Sequence, residues 1–331
     1  MGFTYDLRED HLRAGVSAED AAEFDTPHTI DAIDGALSAL GCRVERIGHV
    51  QNLVAALAEG RRWDLVFNLA EGVRGFGREA QVPALLDAFD IPYTFSDALT
   101  SALTLHKGMA KHVLRDLGVP TPDFVVVEEQ EGADSVALAF PLFVKPVAEG
   151  SSKGVDDRSR VTTRAGLRDT CARLIERFGQ PVLVESYLPG RELTVGIVGT
   201  GSAAEALGVM ETVIAGEHPV YTQVGKTAFT DGITYRLAEE PLAREAERVA
   251  LMAWRGLGCR DGGRVDLRCD QGGHPHVMEV NPLPGLRPSF SDLCVLCDLR
   301  GIPYARLIER ILTSAMTRVD SSAERHRTGA L

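Results

Sequence analysis

Apolar residues in the first third of the chain alternate between short runs and helical spacing. Residues 2–5, 43–47 and 65–69 read as strands. Between the first two, Ile30, Ile33, Leu37 and Leu40 recur at the three- and four-residue intervals of one helix face. Thr26 then reads as an N-cap and Pro27 as the first helical residue, where its missing N–H costs nothing, and Gly41 supplies the stop. Val82, Leu85, Leu86 and Phe89 mark another helix face, and residues 92–94 start a further short strand. Strand–helix–strand order predicts a parallel sheet covered by helices.

Farther along, a helix is expected over about residues 100–117, stopped by Gly118 and Pro120. Residues 125–127 and 142–145 read as strands, and a glycine- and serine-rich turn follows at 149–154. Leu167, Cys171, Leu174, Ile175 and Phe178 line one helix face. Strands are expected at 182–185, 193–198 and 206–210, then at 263–269 and 276–280. Residues 216–236 show no period, which suits a loop that closes over a site. One helix should span 242–257 and a last one carries Leu307, Ile308, Ile311 and Leu312. The pattern predicts an α/β protein of three lobes, divided at residues 1–97, 98–181 and 182–316. The polar stretch 317–331 is expected to be a disordered tail.

A length of 331 residues exceeds one simple core and suits two or three packed lobes. No apolar run approaches the roughly 20 residues that a membrane span requires. The mixed polar start predicts no leader peptide, and with it a cytoplasmic location. A formal net charge of -12 argues against a nucleic-acid partner. Cys294 and Cys297 form a C-x-x-C pair with no second pair at finger spacing. They read as buried thiols on a reduced helix, with a zinc or redox site as the alternative.

Three places carry candidate chemistry. Glu279 and Asn281 are two apart on one strand and so point the same way. If the neighbouring strand pairs there, Asp266 joins them in a hard-oxygen set that suits Mg²⁺. Lys145 ends a strand before the donor-rich turn, whose backbone N–H groups could cradle a phosphate, with a plain surface hairpin as the alternative. Gly225-Lys226-Thr227 looks like the end of a phosphate-binding loop, but Val220 stands where the first glycine belongs, so that reading fails.

Four segments together resemble the D-alanine–D-alanine ligase branch of the ATP-grasp superfamily. They are Leu103-Thr104-Leu105-His106-Lys107, the turn from Lys145 to Val155, Glu185-Ser186-Tyr187-Leu188-Pro189-Gly190-Arg191-Glu192, and Arg264-Val265-Asp266 with Glu279-Val280-Asn281-Pro282-Leu283-Pro284-Gly285. They occur in the family's order across about residues 65–312.

The resemblance implies a Rossmann-like N-terminal lobe and two α+β lobes that sandwich ATP. It implies a ligase that phosphorylates a carboxylate, lets an amine attack the acyl phosphate, and releases ADP and phosphate. Lys107, Lys145 and Lys226 would neutralise the phosphates, with Ser151 and Ser152 closing over them. Glu185, Tyr187 and Leu188 would hold adenine, and Glu192 the ribose. Asp266, Glu279 and Asn281 would bind two Mg²⁺ ions, with Mn²⁺ as the alternative. Arg264 and the Gly285 N–H would stabilise the oxyanion. A homodimer is expected by analogy.

The substrate side departs from the family. Its His-Gly-Gly segment is absent, and Glu23 or Asp25 stands near the substrate-binding glutamate. Glu71 occupies the place of a histidine, and Thr227 that of a tyrosine. Arg287, Ser289 and Ser291 compete for the carboxylate-binding role. The leading expectation is a peptide bond between two amino acids, as in D-alanine–D-alanine ligases. The alternative is a ligase of specialised metabolism that takes other amino acids or a larger carboxylate. A nucleotide-binding protein without ligase activity and an acid-rich module that does not use ATP are the competing classes.

Overall fold

The computed structural model describes residues 1–214 and 232–328. Twelve strands among them build three sheets. The first holds β1 (Gly2–Tyr5), β2 (Glu45–Gly48) and β3 (Val66–Leu69), all parallel in the order β2-β1-β3. Successive residues point to opposite faces, so Phe67 joins a core with Phe3, Ile30, Ile33 and Leu37, while Val66 joins one with Leu53, Leu57 and Trp63. Both faces are thereby covered, as expected for a parallel sheet. The short strand expected at 92–94 is reduced to a single parallel bridge between Val66 and Tyr93.

The second sheet holds β4 (Phe124–Val127), β5 (Leu142–Pro146), β6 (Arg160–Val161) and β7 (Val182–Ser186) in the antiparallel order β4-β7-β5-β6. Leu167, Cys171 and Leu174 of the helix Arg164–Phe178 pack on it. The single helix expected over 100–117 is two, Ala98–Leu105 and Lys107–Asp116. His106 breaks them with ψ 89 and its ring nitrogen accepts from the Met109 N–H at 3.1 Å. That break puts Lys107 at the start of the second helix.

The third sheet holds β8 (Glu192–Val198), β9 (Glu205–Ile214), β10 (Ile233–Leu237), β11 (Gly262–Cys269) and β12 (Pro275–Asn281), antiparallel in the order β10-β9-β8-β11-β12. The helix Leu242–Gly256 buries Val249, Ala250 and Trp254 against it. Residues 233–236, expected within an aperiodic loop, are instead strand because they pair with β9. Asp266 faces Glu279 but Leu267 faces Val277, so Met278 is an extra residue, a β-bulge.

The disordered tail is overturned through residue 328. The last helix runs Tyr304–Thr328, and its Leu307, Ile308 and Ile311 join the core of the first sheet. Arg318 donates to Asp261 Oδ2 at 2.5 Å and to the Tyr93 carbonyl at 2.9 Å, a tie that local composition does not reveal. Cys294 and Cys297 are buried free thiols on the helix Asp292–Leu299. Burial raises both thiols, Cys297 to about 11.

Candidate active site

A cleft opens between the second and third sheets. Lys107, Lys145, Ser152, Glu192, Arg264, Asp266 and Glu279 all line it. The register of β11 and β12 sets Arg264 opposite Asn281 and Asp266 opposite Glu279. Asp266 Oδ1 accepts from the Thr194 hydroxyl at 2.9 Å, and Oδ2 from the Asn281 amide nitrogen at 3.1 Å. Arg264 pairs with Asp266 and stands 3.7 Å from Asp292. Burial alone would lower the Arg264 pKa, but the charges of Asp266 and Asp292 outweigh it and hold the guanidinium firmly protonated.

Three lysines converge from other elements. Lys107 donates to the Glu149 carbonyl at 2.5 Å and lies 3.4 Å from Glu279. Lys145 pairs with Glu185 at 2.8 Å, and Lys111 pairs with the other Glu185 oxygen at 3.0 Å. Burial opposes a charge on Lys145, yet Glu185 and Glu279 raise its pKa on balance. Glu185 itself is fully buried, a cost that the two ammonium groups overcome, so its pKa falls. It stands behind Lys145 and does not line the cleft itself.

The turn after β5 holds Ser151 and Ser152 at φ 48 and 57. Glu23, on the short helix Asp20–Glu23 of the first lobe, accepts from the Gly150 N–H at 2.8 Å. Arg78 lies 3.5 Å and Lys153 3.4 Å from the same carboxylate. Lys153 also pairs with Glu149 at 2.5 Å. The first lobe thus holds the turn by its backbone. Glu71 stands in this acidic neighbourhood, where burial and then the charges of Glu23 and Glu79 push its pKa well up.

The structure does not gather every expected residue into the cleft. Tyr187 is flanked by the guanidinium groups of Arg160 and Arg268, 4.7 and 5.5 Å from its ring centre. Leu188 is buried nearby in the chain. Gly285, Arg287, Ser289 and Ser291 form the loop after β12 and do not line the cleft. There Ser291 Oγ accepts from the Arg287 N–H at 3.0 Å, and the Arg287 guanidinium covers Phe290. Lys226 and Thr227 lie outside the described residues.

Residues 113–313 match the family model described as "D-ala D-ala ligase C-terminus". The chain is 34% identical over 267 residues to a D-alanine–D-alanine ligase of Sinorhizobium fredii, covering 77% of this chain and 81% of that protein. The chain belongs to the D-alanine–D-alanine ligase family. It is an ATP-grasp ligase of that family. An uncharacterized protein of the same organism, y4sG, is 35% identical over 268 residues, 77% of this chain and 75% of that one. The fold matches a Bacillus anthracis D-alanine–D-alanine ligase at TM-score 0.74 and 24% identity, over 97% of this chain and 98% of that one. The same enzyme's structure complexed with ATP matches at TM-score 0.72 and 23% identity.

Sequence patterns did not single out several residues near this site. Lys111 is one of them, buried and paired with Glu185. Thr194 and Asp292 steady Asp266 and Arg264, and no motif flags them. A lysine four residues after Lys107, on the same helix face, was the available signal for Lys111.

Proposed function

We propose that the chain uses ATP and Mg²⁺ to join two amino-acid-like substrates through an acyl phosphate, releasing ADP and phosphate. One observation carries this reading: Lys107 from a helix start, Lys145 from β5, Arg264 and Asp266 from β11, and Glu279 from β12 meet in one cleft. Phosphoryl transfer depends mainly on charge neutralisation and positioning, which Lys107 and Lys145 are placed to supply. Arg264, kept charged by its acids, is the donor available to a developing oxyanion.

Two carboxylates and an amide fit Mg²⁺, which binds one or two carboxylates together with substrate phosphates. The Asn281 nitrogen donates to Asp266, so its amide oxygen is not engaged in that bond. Among the described residues no three His, Cys, Asp or Glu side chains form a metal group, and the proposed set is the two carboxylates with the Asn281 amide. The bound cation would shield the phosphate charge.

Glu23, Glu71, Glu79 and Asp25 make the first-lobe side acidic, with Arg78 and Lys153 among them. This suits a substrate that brings an ammonium group. Glu71 in the place of the family's histidine favours a second reading, in which the substrates are amino acids other than D-alanine, or an amino acid and a larger carboxylate.

ADP release measured over pairs of D- and L-amino acids, basic ones included, separates the two. Turnover is expected with at least one pair. Turnover with D-alanine alone would remove the second reading, and turnover with another pair but none with D-alanine would favour it. No ADP release with any amine and carboxylate tried would count against ligation itself.

A further inference from the structure

The turn after β5 carries a lysine that the chemistry above leaves without a role. Lys153 lines the cleft together with Lys107 and Lys145. Its backbone N–H donates to the Gly150 carbonyl at 2.9 Å, which fixes the foot of the side chain within the turn. Its ammonium lies 2.5 Å from Glu149 and 3.4 Å from Glu23 of the first lobe. Burial opposes that charge, but Glu23 and Glu149 raise its pKa on balance, so the group is an ammonium ion at neutral pH.

Both carboxylates have other donors. Glu23 accepts from the Gly150 N–H at 2.8 Å and has Arg78 at 3.5 Å. Glu149 accepts from the Gln180 amide at 2.7 Å. Taking one partner from a buried ion pair is costly when the other charge is left bare. Neither carboxylate is left bare here if the ammonium moves away. Lysine suits such a move, being a compact charge on a flexible four-carbon stem. Lys107 and Lys145 rest on carboxylates in the same way, on Glu279 and Glu185. Lys153 differs from them in place. Glu23 ties it to the first-lobe side of the cleft, where the acidic groups that suit a substrate ammonium gather. A phosphoryl group passing from ATP to a substrate carboxylate crosses the space between the two.

We propose that Lys153 is a further catalytic residue, which leaves Glu149 and Glu23 to hold the phosphoryl group in transit from ATP to the substrate carboxylate. The inference rests on the ATP and acyl-phosphate reading above. In that step a carboxylate oxygen bonds to the terminal phosphorus while the bond from that phosphorus to the bridging oxygen breaks. The electron pair departs with ADP and no proton moves. Lys153 stays charged throughout, so its part is neutralisation and placement.

Calorimetric titration of the whole chain with ATP and with ADP, in Mg²⁺ and without amino acids, tests it, because only ATP carries the phosphoryl group that Lys153 would hold. Lys153→Met should lower the affinity for ATP by about tenfold or more, the usual weight of a hydrogen bond to a charged group, and leave that for ADP nearly as it was. Lys153→Arg keeps the charge and should recover most of the ATP affinity. Glu149→Gln still accepts from Gln180 but holds the ammonium less firmly, and should tighten ATP relative to ADP. A lysine that only braces the turn gives the opposite pattern: Lys153→Met weakens both nucleotides together, and Glu149→Gln weakens ATP. Either of those results, or an unchanged ATP affinity in Lys153→Met, overturns the inference alone. A wild-type chain that binds neither nucleotide removes the ATP reading, and the inference with it.

Discussion

Asp25 shows how one side chain can set a pH response. Burial first and the neighbouring Asp6 second raise its pKa from 3.8 to about 7, while a hydrogen bond from Thr29 pulls the other way. The folded value lies above the unfolded one, so between about pH 4 and 7 the folded chain holds a proton that the unfolded chain has lost. Stability from this group is therefore present at low pH and falls as pH rises through that window. Glu79 shifts the same way, from 4.5 to about 7, through burial partly offset by Arg78. Asp25→Asn is expected to raise the melting temperature, and by more at pH 8 than at pH 5. Thermal melts at the two values check it, and an equal change at both would contradict the burial argument. At this scale the placement of strand-end residues was legible, because Glu279 and Asn281 lie two apart on one strand and the expected pairing sets Asp266 opposite Glu279. Glu23 was ambiguous beside Asp25, since its partner Gly150 is 127 positions away in the chain.

The turn between β5 and β6 is held by conformation as well as by contacts. Gly154 has φ 76, and a Cβ there would lie 2.6 Å from the Pro146 ring and 2.8 Å from the Phe178 ring. Both obstacles are stiff, so the turn has little room to yield. Gly154→Ala should cost about 1–3 kcal/mol of stability, the usual size of such backbone strain. It should also weaken ATP binding, because Ser152 and Lys153 of this turn line the cleft. Urea unfolding followed by nucleotide titration measures both, and a variant of unchanged midpoint would show that the turn adapts. The elements themselves were mostly legible from periodicity. The break at His106 was not, because neither glycine nor proline marks it, and a capping histidine ring does the work instead. The helix Val50–Ala58 was also missed, for its nine residues give too few turns to declare a face.

Across the whole molecule the last helix ties the first and third lobes together. Asp261 is fully buried and accepts from the Phe95 N–H at 2.8 Å, the Ser314 hydroxyl at 2.9 Å and Arg318. Arg318→Ala would leave that carboxylate without its cation and is expected to cost on the order of 3 kcal/mol. Chemical denaturation checks it, and a midpoint equal to wild type would mean that Arg318 is dispensable. The three-lobe α/β plan was readable from the order of elements, but this tie was not, since a charged tail looks solvated until its partner is known. The bulge at Met278 has a consequence of its own. It lets two adjacent residues, a thioether and a carboxylate, face the same opening, so one strand presents an apolar surface beside a hard oxygen. Such a strand can be rewritten letter by letter, yet it cannot be shortened by a single letter without turning one of those two surfaces inward.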